Sequence, residues 1–536
     1  MREWWRDAVI YQIYPRSFQD DNGDGIGDLA GITRRLDHVA GLGADAIWLS
    51  PFFTSPDRDM GYDVSDYKGV NPLFGTIEDF DALVARAHEL GLKVIIDQVL
   101  SHSSIEHPWF EESRQDKTNP KADWYVWADP KTDGTPPNNW PSVFGGSAWT
   151  FDARRRQYYM HNFLIEQPDL NFHNPEVVEA LLDAMEFWLE RGVDGFRLDT
   201  VNFYVHDQKL RDNPAAEFGE MPFNPYEAQN HLFSKTRPEN LDVLKKMRAL
   251  TDKYDARMMV GEVGEAGRMI DIMADYTSGG DKLHMAYSFE FLGPQYTADH
   301  FRDRITRFME RAPDGWPCWS FSNHDVPRHA TRWTPKGVDS DVIAKQAINL
   351  LISFPGTLGL YQGEELGQTE TDILFEELTD LGYVDFWPAI KGRDGCRTPM
   401  VWDADAKNAD FSSADKTWLP VKAPQAARAV SGQEAANDSV LNAYRSALAF
   451  RKSTPALSLG DTTFPKVADP VLAVERRHDG TVITELYNFS NAEVSLTIEA
   501  DTSLTGPANA TKNGGTLSLP PYGYAFVESD QSLTLA

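Results

Sequence analysis

The chain has 536 residues and a formal net charge of −30 at pH 7. This length predicts two or three domains, and a hydrophobic fraction of 41% supports cores of ordinary size. The excess of acidic residues argues against nucleic acid or an anionic membrane as a partner, because both are bound through basic patches. The only two cysteines, Cys318 and Cys396, exclude a disulfide framework and a cysteine-rich metal site.

The beginning of the chain bears on its location. A strand-like segment follows the first seven residues directly, without the apolar region of a signal peptide. No apolar run reaches the roughly eighteen residues that cross a bilayer. With so few cysteines, these features predict a cytoplasmic protein without a membrane segment.

Up to residue 453, short apolar runs alternate with amphipathic segments. Residues 44–50, 92–97, 193–198 and 258–260 are typical of buried strands. Thr76 is a predicted N-cap, and Gly91 is expected to end the helix that follows it. Asn174 and Pro175 open a second helix, which Gly192 ends. A strand follows each helix at once, so the pattern predicts an α/β fold with a parallel sheet.

Two observations favour a closed (β/α)8 TIM barrel over an open sheet. No glycine-rich phosphate-binding turn follows the first strand. The reactive-looking residues also follow the ends of several different strands, which is where such barrels carry their sites. We therefore assign residues 1–102 and 173–453 to the barrel.

Two further regions depart from this pattern. Residues 103–172 are rich in Trp, Pro, Asn and Gly, and are too long for a structureless loop. They are predicted to form an inserted subdomain B after strand 3, at the mouth of the barrel. Beyond residue 453, residues 471–474, 482–487 and 494–498 alternate with period two, and His478, Asp479 and Gly480 provide a turn signal. Residues 454–536 are therefore predicted to form a C-terminal antiparallel β-sandwich domain.

Three carboxylates stand at the ends of buried runs: Asp199, Glu262 and Asp325. A charge in such a place is costly unless it has a partner or a purpose. A single strand-end acid often only caps a helix or pairs with arginine. Three together, with Arg197 beside the first and His324 beside the third, favour a reaction centre.

Paired carboxylates in a cleft suit glycosyl transfer, in which one acid must be protonated and the other ionised. Arg197 lies two residues before Asp199 and points to the same side of a strand, so it is predicted to keep Asp199 ionised. Glu262 has no basic residue within four positions. It is therefore predicted to be the protonated partner.

Four sequence motifs resemble those of the α-amylase superfamily, glycoside hydrolase family 13, in its α-glucosidase and oligo-1,6-glucosidase branch. The resemblance extends nearly end to end, and the four motifs appear in the family's order. They occupy residues 97–102 (DQVLSH), 195–199 (GFRLD), 260–262 (VGE) and 321–325 (FSNHD).

The resemblance implies a retaining double displacement. Asp199 would attack the anomeric carbon, and Glu262 would protonate the leaving oxygen and then activate water or an alcohol. Asp325 would bind sugar hydroxyls more tightly in the transition state. The oxygens of the nucleophile and the acid should then lie roughly 5 Å apart.

Further positions match the family's glucose pocket one by one. Asp59 resembles its hydroxyl-binding acid, Tyr62 its stacking aromatic residue, and Arg397 its sugar-binding arginine. The full set of implied substrate-binding residues is Asp59, Tyr62, His102, Phe144, Phe163, Gln167, Arg197, Thr200, His324 and Arg397. Ser101 departs from the Asn that most members carry before the histidine, which makes the local loop geometry and any metal contact there uncertain.

The N-terminal segment has the residue spacing of a calcium-binding loop. Positions one, three, five, seven and nine of an EF-hand loop are occupied by Asp20, Asn22, Asp24, Ile26 and Asp28, of which Ile26 would contribute its carbonyl. The closing glutamate is replaced by Gly31. Similar family members bind Ca²⁺ or Mg²⁺ here, so a structural cation is predicted; the alternative is an Asx-rich turn without metal. No cofactor is expected for catalysis.

The residue after the nucleophile bears on the substrate. In the family, a bulky Val there accompanies α-1,6 bonds, whereas a smaller or polar residue accompanies α-1,4 bonds. Thr200 therefore predicts an exo-acting α-glucosidase that prefers maltose-type α-1,4 bonds. The expected substrates are maltose and short malto-oligosaccharides, with sucrose as a further candidate, and the acceptor is water or an alcohol.

Three alternatives remain at this point. The first is a sucrose-active transglucosidase or isomerase on the same scaffold. The second is a non-catalytic barrel like the heavy chains of amino-acid transporters, although those carry a membrane helix and lack the catalytic acids. The third is a polymer-degrading amylase, which an inserted subdomain that walls off the pocket would disfavour.

Overall fold

Eight parallel strands form the central sheet of the computed structural model, which describes residues 3–535. Their bounds are β1 Val9–Ile13, β2 Ala46–Leu49, β3 Lys93–Gln98, β4 Gly195–Leu198, β5 Met258–Val263, β6 Met285–Ser288, β7 Cys318–Ser320 and β8 Thr357–Tyr361. They pair in the order β6-β5-β4-β3-β2-β1-β8-β7. A parallel bridge between Ala286 and Pro317 joins the two ends of the sheet. The prediction of a (β/α)8 barrel is thus confirmed.

One long helix follows each barrel strand and covers its outer side. The eight helices are α1 Leu29–Leu42, α2 Ile77–Glu89, α3 Pro175–Glu190, α4 Asn240–Thr251, α5 Met269–Thr277, α6 Ala298–Arg311, α7 Ser340–Leu351 and α8 Val440–Ser453. Strict helix–strand alternation gives every strand a cover on its outer face, as a parallel sheet requires.

The two helix starts predicted from sequence are confirmed. The Thr76 hydroxyl accepts from the backbone N–H of Asp79, and the Asp79 carboxylate accepts from the N–H of Thr76, which completes a capping box. The Asn174 side chain accepts from the N–H of Glu176 at the start of α3. Gly91 and Gly192 follow the two helices with φ values of 79° and 94°, a conformation that glycine adopts without strain.

Short elements connect the barrel units. Phe53–Thr54 and Asp66–Val70 form a two-stranded ribbon. The short α-helices are Pro15–Phe18, Pro108–Ser113, His329–Arg332, Ala423–Ala426, Val430–Glu434 and Pro455–Leu459. The 3-10 helices are Trp4–Arg6, Pro225–Ala228, Ser278–Gly280, Phe289–Phe291, Glu364–Leu366, Phe375–Glu377, Leu381–Phe386, Asp394–Cys396 and Lys407–Asp410.

The segment after β3 folds into a small antiparallel sheet. Its strands are Trp127–Ala128, Trp149–Asp152 and Gln157–Met160, and the last of these lies in the middle. Trp140 and Trp149 form part of its own small core. A bridge between His102 and Asp169 joins the two ends of the segment next to the end of β3. Its side chains are therefore held over the carboxyl ends of the barrel strands.

The C-terminal region is an antiparallel β-structure of two sheets. Five strands, Asp461–Thr463, Val471–His478, Thr481–Asn488, Ser503–Thr505 and Tyr524–Ser529, form one sheet, and Val494–Thr497, Thr511–Asn513 and Thr516–Leu519 form the other. Apolar residues of both sheets share one core, which makes the region a sandwich. The predicted turn has Asp479 and Gly480 at φ 46° and 84°, as a tight hairpin turn needs.

Both cysteines are buried and free of disulfide bonds. Cys318 lies in β7, and Cys396 packs against Tyr14 and Tyr361. Within residues 3–535, no helix is long and apolar enough to cross a membrane.

Candidate active site

The three strand-end acids line one cavity of about 370 Å³. Asp199 follows β4 directly, Glu262 lies near the end of β5, and Asp325 lies on the loop after β7. The carboxyl ends of barrel strands converge at one face, which brings residues from distant parts of the chain together. The cavity is the size of a site for a small ligand.

Arg197 lies beneath the two central acids with a fully buried side chain. Its guanidinium is 2.6 Å from Asp199 Oδ1 and 2.8 Å from Asp97 Oδ1, and it also forms an ion pair with Glu262. Glu262 therefore has a basic neighbour in space, although none lies close to it in the sequence. The contact arises because Val260 of β5 pairs with Arg197 of β4, and residue spacing does not reveal this register.

Thr200 links the two central acids through hydrogen bonds. Its backbone N–H donates to Glu262 Oε2 at 3.1 Å, and its hydroxyl donates to Asp199 Oδ2 at 3.2 Å. Its φ of 40° is strained for a β-branched residue. This backbone conformation directs the N–H of Thr200 toward Glu262 and its side chain toward Asp199. Tyr287 Oη donates to the second oxygen of Glu262 at 2.7 Å.

The protonation of this pair is set by burial and shared charge. Burial raises the pKa of Asp199 to about 7, against the opposing charge of Arg197. Burial likewise raises the pKa of Glu262 to about 7, again opposed by Arg197, while neighbouring carboxylates add to the rise. Because one cation serves both acids, the pair is suited to carry one proton near neutral pH.

Asp325 is held as an anion. Burial opposes its ionisation, but the guanidinium groups of Arg397 and Arg393 outweigh this effect and keep the pKa of Asp325 below its usual range. Arg397 Nη2 lies 2.9 Å from Asp325 Oδ1, and Arg393 Nη1 lies 3.4 Å from the same oxygen. An anion fixed in this way can accept hydrogen bonds from ligand hydroxyls.

His324 lies behind the cavity wall. Tyr62, which lines the cavity, stacks on the His324 ring at 5.3 Å between centroids, and its hydroxyl is 2.5 Å from Nε2 of His324. The other ring nitrogen is 2.7 Å from Nε2 of Gln12. Burial lowers the pKa of His324 well below its ordinary value, so the ring is neutral. The geometry makes it a positioning residue for Tyr62 and Asp325.

Asp59 and Arg393 close one end of the cavity. Arg393 Nη2 lies 2.7 Å from Asp59 Oδ1, and Arg393 also pairs with Asp380 at 2.7 Å. Gln167 is fully buried; its amide nitrogen is 3.0 Å from Asp59 Oδ2 and 3.1 Å from His102 Nε2. Asp59 and His102 line the cavity, whereas Gln167 orients them from behind.

The predicted aromatic residues of the inserted segment both line the cavity. Phe144 and Phe163 have ring centroids 5.9 Å apart. Phe144 also contacts Tyr383 at 5.5 Å, and Phe163 contacts Phe203 at 5.4 Å. These four rings form a continuous aromatic row along one wall.

Ser101 takes part in the same network despite its departure from the family pattern. Its hydroxyl is 2.8 Å from Nδ1 of His102 and 3.0 Å from the hydroxyl of Thr200. The loop after β3 is therefore hydrogen-bonded to the residue beside Asp199.

The structure places the ten predicted pocket residues in two layers. Six line the cavity directly: Asp59, Tyr62, His102, Phe144, Phe163 and Thr200. The other four lie outside that lining and contact it through hydrogen bonds or ion pairs: Gln167, Arg197, His324 and Arg397.

Sequence reasoning did not identify several residues of the site. Arg393 is the clearest case, since it contacts Asp59 and Asp325 and lies only four positions before the predicted Arg397. A second arginine so near the first was a usable signal. Tyr383 and Lys235 also line the cavity, but their segments carry no motif that would have marked them.

The predicted metal loop lies apart from the cavity, against residues 411–418. Asp20 accepts from the N–H groups of Gly23 and Gly25 at 2.7 and 2.8 Å. Asp28 accepts from two more loop amides and from the N–H of Gly31, which caps α1. Asn22 and Asp24 make short Asx turns, the latter with the N–H of Ile26.

The side-chain chemistry of this loop fits a hard cation, because the donors are oxygens with lone pairs to spare. Within the described part of the chain, however, no three acidic, histidine or cysteine side chains converge on a ready-made metal site.

A pair of carboxylic acids that face one cavity is the arrangement by which most glycoside hydrolases cleave glycosidic bonds. Comparison with known proteins agrees. The model of the alpha amylase catalytic domain matches residues 12–460. The chain therefore belongs to the alpha-amylase family and is a glycoside hydrolase.

Individual relatives refine this placement. A probable alpha-glucosidase from Rhizobium meliloti (strain 1021) is 57% identical over 91% of this chain and 90% of its own length. An oligo-1,6-glucosidase from Heyndrickxia coagulans is 37% identical over 92% of this chain and 94% of its own length. Among solved structures, the alpha-glucosyl transfer enzyme XgtA is 51% identical, with a TM-score of 0.95 over 99% of this chain and 100% of that chain.

The shared proton predicts a narrow pH profile. The mechanism that the sequence motifs imply needs an ionised Asp199 and a protonated Glu262, and burial raises both pKa values to about 7. We expect kcat/KM for an α-glucoside to peak near pH 7. It falls at lower pH as Asp199 gains a proton and at higher pH as Glu262 loses one. Steady-state kinetics measured on both sides of pH 7 test this profile. An optimum near the ordinary carboxyl pKa, about 4, would contradict it.

Proposed function

We propose that the enzyme is a retaining, exo-acting α-glucosidase that releases glucose from the non-reducing ends of short α-glucosides. The single observation that carries this proposal is the pair formed by Asp199 and Glu262, buried in one cavity and joined through Arg197. Such a pair can hold one proton and one negative charge at neutral pH, which is what double displacement requires.

The roles follow the family motifs. With the proton on Glu262, Asp199 keeps Arg197 and the Thr200 hydroxyl as partners and is free to attack the anomeric carbon. Glu262 then protonates the leaving oxygen and afterwards takes a proton from the incoming water or alcohol. The anionic Asp325 hydrogen-bonds sugar hydroxyls and opposes the positive charge that develops on the ring.

The blocked end of the cavity supports attack at chain ends. Asp59 and Arg393 are 6% and 7% exposed, and their ion pair stands where a longer chain would have to continue. Phe144 and Tyr383 flank the Arg393 guanidinium at 5.2 and 5.5 Å. A pocket closed in this way admits one terminal glucose and disfavours the interior of a polymer.

Thr200 supports preference for α-1,4 bonds over α-1,6 bonds. Its side chain lines the cavity between the two central acids, which is the region that the scissile bond must occupy. A polar residue of this size at this position accompanies maltose-type substrates in the family. One relative is named for 1,6 bonds, so the preference requires a direct comparison of linkages.

Transfer of glucose to alcohols is a second activity that we propose for the same site. The intermediate on Asp199 can react with any hydroxyl that reaches it, and Phe203, Tyr226 and Phe289 give the cavity an apolar lining that displaces water. The name of one similar solved structure, an alpha-glucosyl transfer enzyme, points in the same direction.

We further propose that the loop formed by residues 20–28 binds Ca²⁺ or Mg²⁺ as a structural ion. Its oxygen donors suit a hard cation. The ion would join the start of α1 to residues 411–418, which the loop already contacts through Gly25 and Trp418. This role leaves the reaction itself to the side chains of the cavity.

Retention can be read from the first product. We expect the glucose released from benzyl α-glucoside, whose only sugar is the transferred one, to appear as the α-anomer and to mutarotate only later, because two inversions at one carbon restore the configuration. Proton NMR during the first minutes measures this. Initial release of β-glucose would contradict the mechanism while leaving the substrate class intact.

The linkage preference has its own test. We expect a higher kcat/KM for maltose than for isomaltose, and T200V is expected to lower that ratio about tenfold, since it removes the hydroxyl beside the scissile bond. T251V, at the end of α4 and away from the cavity, is the matched control. A wild-type preference for isomaltose would overturn the proposal, and efficient isomerisation of sucrose would favour the sucrose-active alternative.

The cation proposal predicts added stability. A hundredfold excess of Ca²⁺ or Mg²⁺ over its Kd should stabilise the folded protein by about 2.7 kcal/mol, seen as a rise in Tm after EDTA treatment. D24A should abolish the rise, whereas D21A, outside the predicted ligand positions, should retain it. An unchanged Tm with both ions would contradict binding.

A further inference from the structure

A second polar cluster lines the cavity at the end away from Asp59 and Arg393. The two polar clusters stand at opposite ends of the aromatic row. The Arg393 guanidinium is 5.2 Å from the ring centre of Phe144, and Nζ of Lys235 is 4.4 Å from the ring centre of Phe203 at the other end. Lys235 and Glu265 both line the cavity there. The two clusters therefore face different parts of any bound ligand.

Lys235 is a buried cation with donors to spare. Its side chain is 4% exposed, and Nζ lies 3.7 Å from Glu265 Oε2. The ammonium donates one hydrogen bond, to the carbonyl of Gly264 at 2.8 Å. It also lies over the rings of Phe203 and Tyr226, at 4.4 and 5.1 Å from their centres. An ammonium has three N–H groups, so a ligand in the cavity can accept from it.

The position of Lys235 and Glu265 relative to Glu262 indicates which part of a substrate they would contact. Glu262, which protonates the leaving oxygen in the proposed mechanism, is followed two and three residues later by Gly264 and Glu265. Asn202 fixes this turn, with its amide nitrogen 3.1 Å from the Gly264 carbonyl and its amide oxygen 3.1 Å from the Gly264 N–H. Lys235 thus lies on the Glu262 side of the cavity, which is the side on which the proposed mechanism puts the leaving group.

We propose that Lys235, together with Glu265, binds hydroxyls of the departing sugar and so selects sugar aglycones over apolar ones. This inference rests on the proposed α-glucosidase function. A charged donor beside a carboxylate matches the paired hydroxyls of a sugar, whereas an apolar leaving group would leave the buried ammonium without a further partner.

A purely structural role for Lys235 makes a different prediction. If the ammonium served only to hold the Gly264 carbonyl, its loss would displace the turn after Glu262 and would slow every substrate alike. A role in binding the leaving group instead acts only on substrates whose leaving group carries hydroxyls. The comparison must therefore use two substrates that need the same proton from Glu262.

Maltose and benzyl α-glucoside meet this condition, because both release an alcohol. We expect K235M to lower kcat/KM for maltose about tenfold or more and to leave kcat/KM for benzyl α-glucoside within about twofold, so that their ratio falls. K282M is the matched control, since Lys282 is a buried lysine that also donates to a backbone carbonyl but lies outside the cavity lining.

The wild-type protein offers an independent readout that needs no variant to fold. Burial lowers the pKa of Lys235 to about 8, against the charge of Glu265 and with a contribution from Arg268. The ammonium is thus present below this pH and lost above it. We expect the ratio of maltose to benzyl α-glucoside activity to fall as pH rises through 8, and K235R to keep the ratio constant because arginine stays charged.

Other ionisable groups lie near Lys235, but none of them is expected to change the ratio of the two activities near pH 8. Arg268 is paired with Glu265, and His231, whose pKa burial lowers to about 3, is already neutral. Titration of Asp199 and Glu262 affects both substrates and cancels in the ratio. Equal losses on both substrates in K235M, or a wild-type ratio that is flat through pH 8, would overturn the inference. Failure of wild type to hydrolyse either substrate would instead refute the proposed function.

Discussion

One buried guanidinium holds this active site together. Arg197 has no exposed surface, yet it contacts three carboxylates, those of Asp97, Asp199 and Glu262. Three buried anions around a single cation leave an excess of negative charge, which is costly in a medium of low dielectric constant. The cost falls when one of the acids takes a proton, so the architecture itself favours one protonated and one ionised central acid. Charge balance thus supplies the two protonation states that the proposed double displacement requires.

The barrel supplies the rigidity that this arrangement needs. Arg197 lies in β4, between β3 with Asp97 and β5 with Glu262, so the ladder fixes the three side chains relative to one another. The more variable parts of the cavity come from loops: the inserted segment contributes Phe144, and the long connection after β8 contributes Arg393. Catalytic geometry is thus set by strands, while the ligand that fits is set by loops.

Much of this organisation could be predicted from local sequence. The cap at Thr76, the buried runs and the turn at Gly480 each depend on residues within a few positions of one another, and the structure confirms them. The acids could be found because each lies at the end of a buried run or just after it. Contacts across the fold could not be found: Arg393 is 334 positions from Asp59, and no periodicity marks such a pair. The division of the chain at residues 102, 172 and 453 and the cytoplasmic location stay predictions.

The central claim is that Asp199, made nucleophilic by its place beside Arg197, forms a covalent bond to the sugar. A fluorinated α-glucosyl fluoride that forms this intermediate quickly and releases it slowly allows a direct measurement: peptide mass spectrometry of the rapidly quenched enzyme. We expect one added fluoroglucosyl group, located on Asp199 and missing in D199N. A label on another carboxylate, or hydrolysis of the substrate without any labelled enzyme, would contradict it.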